Sequence, residues 1–363
     1  MRRRRGETGF AHFVLIVLVV LLGVLLASAL LGSKSNPVAP NAPAPDIDVA
    51  AAARALDVSV TDINAELAQA RGQVAGTGVV LSASGSVLTN NHVIAGADDI
   101  TAQIGGSGRR FPARVVGYDV TDDIAILQLD GASGLTPASI GNPAGERVGD
   151  SVVAIGNARG AGGTPATAAG TITAFGQRVT ATDSAGSESE TLSNMIEIAA
   201  SVEPGDSGGP VVDTSHHVIG LTAAATTGTD SFPASGVSGF AIPIDRALTI
   251  ARQITAGRRS ATVHIGPRAI LGVQVKTVRS TPAVASVDGA VVGLVENDSP
   301  ARVAGLRADD VIVSVDRIDI SSLTDLNAAL DSHHPGDVVL LGWTDASGHI
   351  RTASVALLSG PPL

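Results

Sequence analysis

The chain of 363 residues contains no cysteine. Disulfide bonds, thiolate nucleophiles and thiolate metal sites are therefore excluded, and an exported form of the protein must be held together by packing alone. Aromatic residues contribute only 2% of the chain and hydrophobic residues 44%, so Val, Ile, Leu and Ala must build most of the core. With 42 glycines available for turns, this composition is typical of many short β-strands.

The chain also lacks basic patches and nucleotide-binding motifs. Its formal net charge is −10 and its Lys and Arg are scattered after Arg2 to Arg5, so nucleic acid is not an expected partner. No Gly-rich phosphate loop with a Lys is present, which argues against ATP-driven chemistry. The pairs His216-His217 and His333-His334 have no spaced third ligand, and adjacent strand residues face opposite sides. We therefore expect no metal and no other cofactor.

A long apolar run lies near the amino terminus. Arg2 to Arg5 precede an uncharged segment from Phe13 to Gly32, which is about the length that spans a bilayer. Basic residues before such a segment stay in the cytoplasm. We predict that residues 1–32 anchor the protein in the cytoplasmic membrane and leave the rest of the chain outside. The small residues Ala27-Ser28-Ala29 resemble a signal cleavage site, so a cleaved signal and a secreted protein are the open alternative.

Short β-branched segments recur through the middle of the chain, and their pattern predicts strands. Many short strands with few helices indicate an all-β barrel or sandwich. Helices are predicted near Ala50 to Leu56 and at Asp245 to Ala256, where Gly257 ends the helical spacing. The predicted strands include Gly78–Leu81, Val115–Val116, Ile124–Leu127, Ser151–Ile155, Thr171–Phe175, Val211–Val212, Val218–Leu221 and Phe240–Ile242.

The composition divides the chain after the apolar run into four parts. Residues 33–48 are rich in Pro and form a spacer, because prolines disfavour helix and nothing in the segment can be buried. Residues 49–257 form the first folded domain. Residues 258–266 are polar and bounded by Gly, which predicts a linker, and residues 267–363 carry their own strands and turns, which predicts a second domain.

A serine enclosed by glycines marks the first candidate site. Ser207 lies in the segment PGDSGGP, which leads into the predicted strand Val211–Val212. Glycines allow backbone conformations that direct the amides of Gly205 and Ser207 into one small space, where a tetrahedral oxyanion could accept both. The segment also fits the nucleophile elbow of α/β-hydrolases, but that motif needs a following helix and alternating strands and helices, and this chain offers neither.

Two further segments complete a catalytic order. His92 follows a predicted strand, and Asp123 stands at the start of the apolar strand Ile124–Leu127. The order His92, Asp123, Ser207 has intervals of 31 and 84 residues and is the chain order of chymotrypsin-like proteases.

The segments TNNHVI, DDIAIL and PGDSGGPVV resemble the three catalytic segments of the HtrA/Deg family of trypsin-like serine proteases. The resemblance spans about Val60 to Ala256, and GFAIP at Gly239 to Pro243 is similar to the family's final barrel strand. The chain is most similar to secreted actinobacterial members with a single PDZ domain. The resemblance implies an all-β fold, with a chymotrypsin-like double β-barrel followed by a PDZ domain that is β-rich with two helices.

The resemblance also implies residue roles. Ser207 would attack the scissile carbonyl, His92 would transfer its proton, and Asp123 would hold the imidazole, with Asp122 as the alternative acid. The amides of Gly205, Asp206 and Ser207 would form the oxyanion hole. Family members commonly carry Asn at the position of Asp206, so this carboxylate should find another partner: a cation, a backbone N–H or water.

The resemblance further places two binding surfaces. The pocket for the substrate residue before the cut would favour small or aliphatic side chains, with Glu203 left at the loop surface. Its lining would be Ser201, Val202, Pro204, Ser238, Gly239, Phe240 and Ala241. In the PDZ domain, the far wall of a peptide groove would be formed by Leu326 and Leu330, unless these residues simply fill the core. Its carboxylate-binding loop would be Ile270, Leu271, Gly272 and Val273.

The function implied is an ATP-independent serine endopeptidase that hydrolyses misfolded or unfolded proteins outside the cytoplasmic membrane. Its partners would be polypeptide substrates, hydrophobic C-terminal peptides at the PDZ groove, and the membrane through the amino-terminal segment. A homotrimer is implied only weakly, because the aromatic residues through which family members pack are almost lacking here. The alternative is a PDZ-led adaptor or holdase chaperone with latent protease activity.

Overall fold

The computed structural model describes residues 47–67, 72–182, 189–223, 239–276 and 288–362. Within these ranges, no helix is both long enough and apolar enough to cross a membrane. The predicted anchor from Phe13 to Gly32 lies outside the described residues.

Six strands form the first barrel, and all their pairings are antiparallel. They are β1 (Val60–Leu67), β2 (Gly72–Val80), β3 (Ser86–Thr89), β4 (Asp99–Ile104), β5 (Arg110–Asp119) and β6 (Ile124–Leu129). The strand order is β5, β4, β1, β2, β3, β6, and the pairing of β5 with β6 closes the barrel. Its interior contains aliphatic side chains together with Phe111 and Tyr118, the only tyrosine of the chain.

The second barrel is also closed, in the order β10, β11, β12, β9, β8, β7, with the ranges that follow. They are β7 (Ser151–Gly156), β8 (Ala166–Thr182), β9 (Ser189–Ile198), β10 (Pro210–Val212), β11 (Val218–Ala223) and β12 (Gly239–Pro243). Every residue of β7 and of β11 is buried, which explains why these strands read as continuous apolar runs. The predicted double β-barrel is confirmed, and two closed antiparallel barrels rule out an α/β-hydrolase fold.

Three helices accompany the barrels: α1 (Val49–Leu56), α2 (Asn91–Ile94) and α3 (Ile244–Thr255). Asp48 caps α1 by accepting the Ala51 N–H at 2.9 Å. Helix α3 is amphipathic and buries one face against the large core cluster, so the predicted closing helix is confirmed. Two 3₁₀ turns lie at Pro143–Gly145 and Ala158–Gly160.

The segment expected to be a linker contains a strand that extends the sheet of the first barrel. Strand β13 (Val263–Ile265) pairs with β5, and Val263 is only 4% exposed within the large core cluster. The neighbouring Thr262 donates its hydroxyl to Asp119 at 2.8 Å. Residues 258–266 are therefore bonded to the barrel for part of their length.

The expected PDZ domain contains the predicted two helices, α4 (Pro300–Ala304) and α5 (Leu323–Asp331). Ser299 and Ser322 cap these helices through their hydroxyl groups. Its core is built around Trp343, the only tryptophan of the chain. The strands are β14 (Arg268–Ile270), β15 (Val273–Val275), β16 (Ala290–Val295), β17 (Val311–Val315), β18 (Ile318–Asp319), β19 (Val338–Thr344), β20 (Ile350–Ala356) and β21 (Leu358–Gly360).

The packing of β13 predicts that Val263→Ala destabilises the protease domain. The cavity left by two methyl groups should cost about 2 kcal/mol of unfolding free energy. Denaturant unfolding followed by far-UV circular dichroism should shift accordingly, whereas fluorescence of Trp343 should report an unshifted PDZ transition. Val303→Ala is the control, because Val303 is 85% exposed. An unchanged protease transition would show that β13 is not part of the barrel core.

Candidate active site

The three candidate catalytic residues come from loops of the two barrels. His92 lies in α2, directly after β3, and Asp123 occupies the turn before β6, both in the first barrel. Ser207 belongs to the second barrel and lies in the loop between β9 and β10. Asp123 has a left-handed φ of 52°, and its carbonyl accepts the Asn90 side-chain N–H at 2.9 Å.

His92 and Asp123 are joined by two hydrogen bonds. The Nδ1 atom of His92 lies 2.8 Å from one carboxylate oxygen of Asp123, and the backbone N–H of His92 donates to the other at 2.9 Å. Asp123 is 2% exposed, so its carboxylate is held in one orientation. With Nδ1 bound to Asp123, proton transfer by His92 must use Nε2.

The alternative acid, Asp122, binds a different residue. Its carboxylate pairs with Arg246 of α3, and its backbone N–H donates to Asp119 at 3.1 Å. Asp119 also accepts the Thr262 hydroxyl, and burial raises the pKa of this carboxyl group. Asp122 therefore braces the turn, and the geometry favours Asp123 as the partner of His92.

The nucleophile loop depends on two left-handed glycines. Gly205 has a φ of 100° and Gly208 a φ of 83°, a region that disfavours side chains. A Cβ on Gly208 would lie 2.1 Å from the Thr77 carbonyl oxygen, and one on Gly205 would lie 2.2 Å from the Asn157 carbonyl oxygen. Close approach between backbones, as well as φ, therefore requires glycine at both positions.

Thr77 of β2 links the first barrel to this loop. Its hydroxyl donates to the Gly205 carbonyl at 2.7 Å and accepts the Asn157 N–H at 2.8 Å. Its backbone N–H donates to the Ser207 carbonyl at 2.8 Å, and its own carbonyl accepts the Thr89 hydroxyl at 2.7 Å. Sequence reasoning missed Thr77, although a polar residue between Gly76 and Gly78 before an apolar run was the available signal.

Arg159 supports the loop from the other side. Its backbone N–H donates to the Pro204 carbonyl at 2.6 Å, and its guanidinium binds Glu203 at 2.6 Å. Arg159 adopts a left-handed φ of 59°, which a side chain rarely takes. The carbonyls of Pro204, Gly205 and Ser207 thus all have partners outside the loop, which sets the orientation of its peptide groups.

One predicted oxyanion donor already has an acceptor. The backbone N–H of Asp206 donates to the Glu203 carbonyl at 3.0 Å, a bond within the loop's own turn. This bond engages the Asp206 amide within the loop, and the oxyanion hole of Gly205, Asp206 and Ser207 stays a prediction.

The Asp206 carboxylate has a backbone partner. One oxygen accepts the Glu203 N–H at 2.8 Å, which selects the backbone among the three partners considered from the sequence. The other oxygen has no hydrogen-bond partner among the described residues. Burial raises the pKa of Asp206, and the nearby Glu203 carboxylate acts in the same direction.

The predicted specificity pocket is only partly open. Ser201 and Pro204 are exposed, Val202 is half-buried, and Ser238 lies outside the described residues. Phe240 and Ala241 are 8% and 0% exposed and pack in the hydrophobic clusters, and their place in the lining of the pocket stays a prediction. A Cβ on Gly239 would lie 2.6 Å from the Val202 side chain. Little space is therefore left between the loop and β12.

The predicted PDZ residues lie on two elements. Ile270 ends β14, Val273 begins β15, and Leu271 and Gly272 connect them, with Gly272 at a φ of 71°. Leu326 and Leu330 of α5 are 2% and 4% exposed and belong to the PDZ core. Both leucines therefore fill the core, and a groove wall formed by them stays a prediction.

The His pairs contact acids individually. His217 Nδ1 lies 3.6 Å from Asp213, and His333 Nε2 lies 3.5 Å from Asp316. Within the described ranges, no three His, Asp or Glu side chains form a group suited to a metal ion.

Comparison with known proteins places this geometry in a family. Residues 76–221 match the trypsin-like peptidase domain, and residues 269–345 match the PDZ domain. The serine protease Do-like HtrA of Lactococcus lactis is 32% identical over 290 residues, which cover 78% of this chain and 70% of that protein. The chain belongs to the HtrA family of serine proteases.

Other HtrA-type relatives are longer than this chain. The serine protease PepD of Mycobacterium tuberculosis is 36% identical, over 78% of this chain and 60% of that protein. A probable periplasmic serine protease do/HhoA-like of Haemophilus influenzae is also 36% identical, over 76% of this chain and 56% of that protein. The HtrA chain thus spans somewhat more than half the length of these two curated relatives.

The buried Asp206 predicts a pH-dependent stability difference in Asp206→Asn. Because its folded pKa is raised, the stability contributed by the protonated carboxyl is complete below the unfolded pKa and is lost as pH rises through the folded pKa. Asparagine stays neutral and can still accept the Glu203 N–H. The thermal midpoint of the variant should therefore match the parent near about pH 4 and exceed it increasingly toward about pH 7. Asp130→Asn, at a site 55% exposed, is the control; a midpoint difference independent of pH would contradict the assignment.

The contacts of Arg159 predict that kcat depends more on its backbone N–H than on its side chain. Arg159→Pro removes the N–H that binds the Pro204 carbonyl and cannot adopt a φ of 59°, so kcat should fall by about 10². Arg159→Gly keeps the N–H and suits the left-handed φ, so we expect at most about a threefold loss, because the exposed ion pair contributes little. Rates on a chromogenic peptide, with circular dichroism to confirm folding, measure both. Equal losses in the two variants would contradict this account.

Proposed function

We propose that this HtrA-family chain is a serine endopeptidase that hydrolyses unfolded or misfolded proteins. The doubly hydrogen-bonded pair of His92 and Asp123, in a barrel whose Thr77 also binds the Ser207 loop, is the observation that carries the proposal. It favours the protease over the adaptor or chaperone alternative. Proton transfer requires a histidine oriented by an acid, whereas binding of a peptide does not.

The geometry supports a two-stage acyl transfer. Ser207 Oγ attacks the scissile carbonyl while His92 Nε2 takes its proton, and the two bonds to Asp123 stabilise the resulting imidazolium. The negative charge on the substrate oxygen is stabilised by the amides of Gly205 and Ser207. His92 then protonates the leaving amine, which leaves the acyl-enzyme. Water attacks the ester carbonyl while His92 takes its proton, and the bond to Ser207 Oγ breaks as His92 returns that proton to the serine.

The pocket geometry supports cleavage after small or aliphatic residues. Val202 packs closely against Gly239, and no acidic side chain from β12 enters this region. Glu203 is held by Arg159, which leaves it a poor partner for a basic substrate residue.

The second domain supports substrate binding through C-terminal peptides. The Ile270–Val273 segment joins two strands, and Gly272 adopts the left-handed conformation that allows successive amides to converge. We propose that hydrophobic C-terminal peptides bind beside β15.

The relative named periplasmic supports an extracytoplasmic location, with residues 1–32 as membrane anchor or cleaved signal. A homotrimer remains a prediction from the family resemblance.

The proposal predicts that the full chain, purified in mild detergent, degrades unfolded β-casein and that Ser207→Ala does not. Loss of a triad serine typically lowers turnover by about 10⁶. Gel analysis with mass spectrometry of the fragment ends measures both the rate and the residue before each cut. Ser215→Ala, at an exposed serine outside the triad and the pocket, is the control. If the parent leaves casein intact, even with a hydrophobic C-terminal peptide added, the adaptor or chaperone alternative replaces the protease.

A further inference from the structure

Asp62 is a buried carboxyl group that the proposed mechanism does not use. It lies on β1, where it pairs with Thr77 of β2 and Gln103 of β4, and it is 2% exposed. Neither carboxyl oxygen has a hydrogen-bond partner among the described residues. Burial of an unpaired carboxylate is costly, so the surroundings of Asp62 must favour a bound proton or a bound cation.

Gly106 and the pair Gly162-Gly163 lie next to the Asp62 carboxyl group. A Cβ on Gly106 would lie 3.0 Å from the Asp62 Oδ2 atom and 1.4 Å from the Gly163 carbonyl oxygen. A Cβ on Gly162 would lie 3.9 Å from the same carboxyl oxygen. The carboxyl oxygen and the Gly163 carbonyl oxygen therefore lie close to the same point beside Gly106. Two oxygen acceptors this near each other attract only if one of them carries a proton or if a cation lies between them.

The charges around Asp62 do not neutralise it. Arg110, at the start of β5, lowers the pKa of Asp62, but its guanidinium donates to Gln103 at 3.0 Å. Arg109 lies 4.6 Å over the Phe111 ring, and Arg159 binds Glu203. From β2, the facing residue Thr77 is uncharged. Burial outweighs the effect of Arg110 and raises the pKa of Asp62 to about 6.

Residues 157–163, which include the glycines next to Asp62, are hydrogen-bonded to the Ser207 loop. We call this loop the oxyanion loop, because it carries the amides of Gly205 and Ser207. Asn157 N–H donates to the Thr77 hydroxyl, and the Asn157 side chain accepts the Gly162 N–H at 2.8 Å. The Gly163 N–H donates to the Gly106 carbonyl at 3.2 Å. Arg159, in the middle of the segment, holds the Pro204 carbonyl. A shift of residues 157–163 away from β1 therefore moves the support of the oxyanion loop.

We propose that Asp62 is a positioning residue for the hydrolysis, whose protonated carboxyl group donates to the Gly163 carbonyl and holds residues 157–163 beneath the oxyanion loop. The inference rests on the proposed function. Deprotonation turns this hydrogen bond into a repulsion between two oxygens, so support of the oxyanion loop weakens as pH rises. The effect falls on kcat rather than KM, because the oxyanion hole binds the transition state more tightly than the substrate.

Two substitutions of similar size separate the hydrogen bond from the charge. Asp62→Asn is neutral and can donate to the Gly163 carbonyl at every pH, whereas Asp62→Leu is neutral and cannot donate. Both should raise the thermal midpoint at neutral pH relative to the parent, because the parent loses stability as pH rises through the folded pKa of about 6. Only Asp62→Asn should preserve kcat.

The experiment measures kcat and KM of the full chain on a chromogenic peptide between about pH 5 and pH 8. The ratio of kcat for Asp62→Asn to that of the parent should be near 1 at the acidic end and rise to about fivefold at the alkaline end. Any ionisation that both proteins share cancels in this ratio. Asp62→Leu should lie about tenfold below Asp62→Asn throughout. Glu66→Gln, an exposed acid on the same strand, is the control and should follow the parent.

Each contrary outcome has one meaning. If the parent hydrolyses peptide and the Asp62→Asn ratio is flat with pH, or if Asp62→Leu equals Asp62→Asn in kcat, the positioning role is wrong and the proposed function stands. If no protein hydrolyses peptide at any pH, the proposed function fails. If Ca²⁺ or Na⁺ raises the thermal midpoint of the parent but not that of Asp62→Asn, a cation occupies the place assigned to the proton, and the proposal is overturned.

Discussion

The candidate active site depends on hydrogen bonds between the two barrels, and Thr77 makes three of them. His92 and Asp123 are fixed within the first barrel, whereas Ser207 is carried by a loop of the second. The hydroxyl and amide of Thr77 bind the carbonyls of Gly205 and Ser207 directly. One strand of the first barrel thus binds the carbonyls on either side of Asp206. The two barrels also share a hydrophobic cluster, which contains Val79 of β2 and Ile155 of β7.

Buried acids surround this junction. Asp62, Asp119 and Asp206 are all buried, and burial raises the pKa of all three. Two of them bind backbone N–H groups, as Asp119 does with Asp122 and Asp206 with Glu203. The chain has no cysteine and hence no disulfides, and these carboxyl groups brace their turns through hydrogen bonds.

The sequence was sufficient for the double barrel, the PDZ domain, the order His92, Asp123, Ser207 and the strand Gly239–Pro243. These features depend on local patterns and short motifs. It could not separate the roles of Asp122 and Asp123 on physical grounds, because Arg246, which binds Asp122, lies 124 positions away. The motif placed the Asp206 amide in the oxyanion hole, because the spacing of residues does not reveal that this N–H donates to the Glu203 carbonyl. The spacing of Leu326 and Leu330 is equally ambiguous, because helical spacing alone does not distinguish a residue of the core from a residue that lines a peptide groove.

Strand β13 also changes the boundary between the barrel domain and the PDZ domain. The composition places the end of the barrel domain at Gly257, but Val263–Ile265 complete the sheet beside β5 and Thr262 bonds to Asp119. A recombination event or a truncation at Gly257 would remove an edge strand and a brace of the turn that carries Asp123. A cut that keeps the first sheet whole therefore falls at Gly266. This residue follows directly after β13 and has a left-handed φ of 80°.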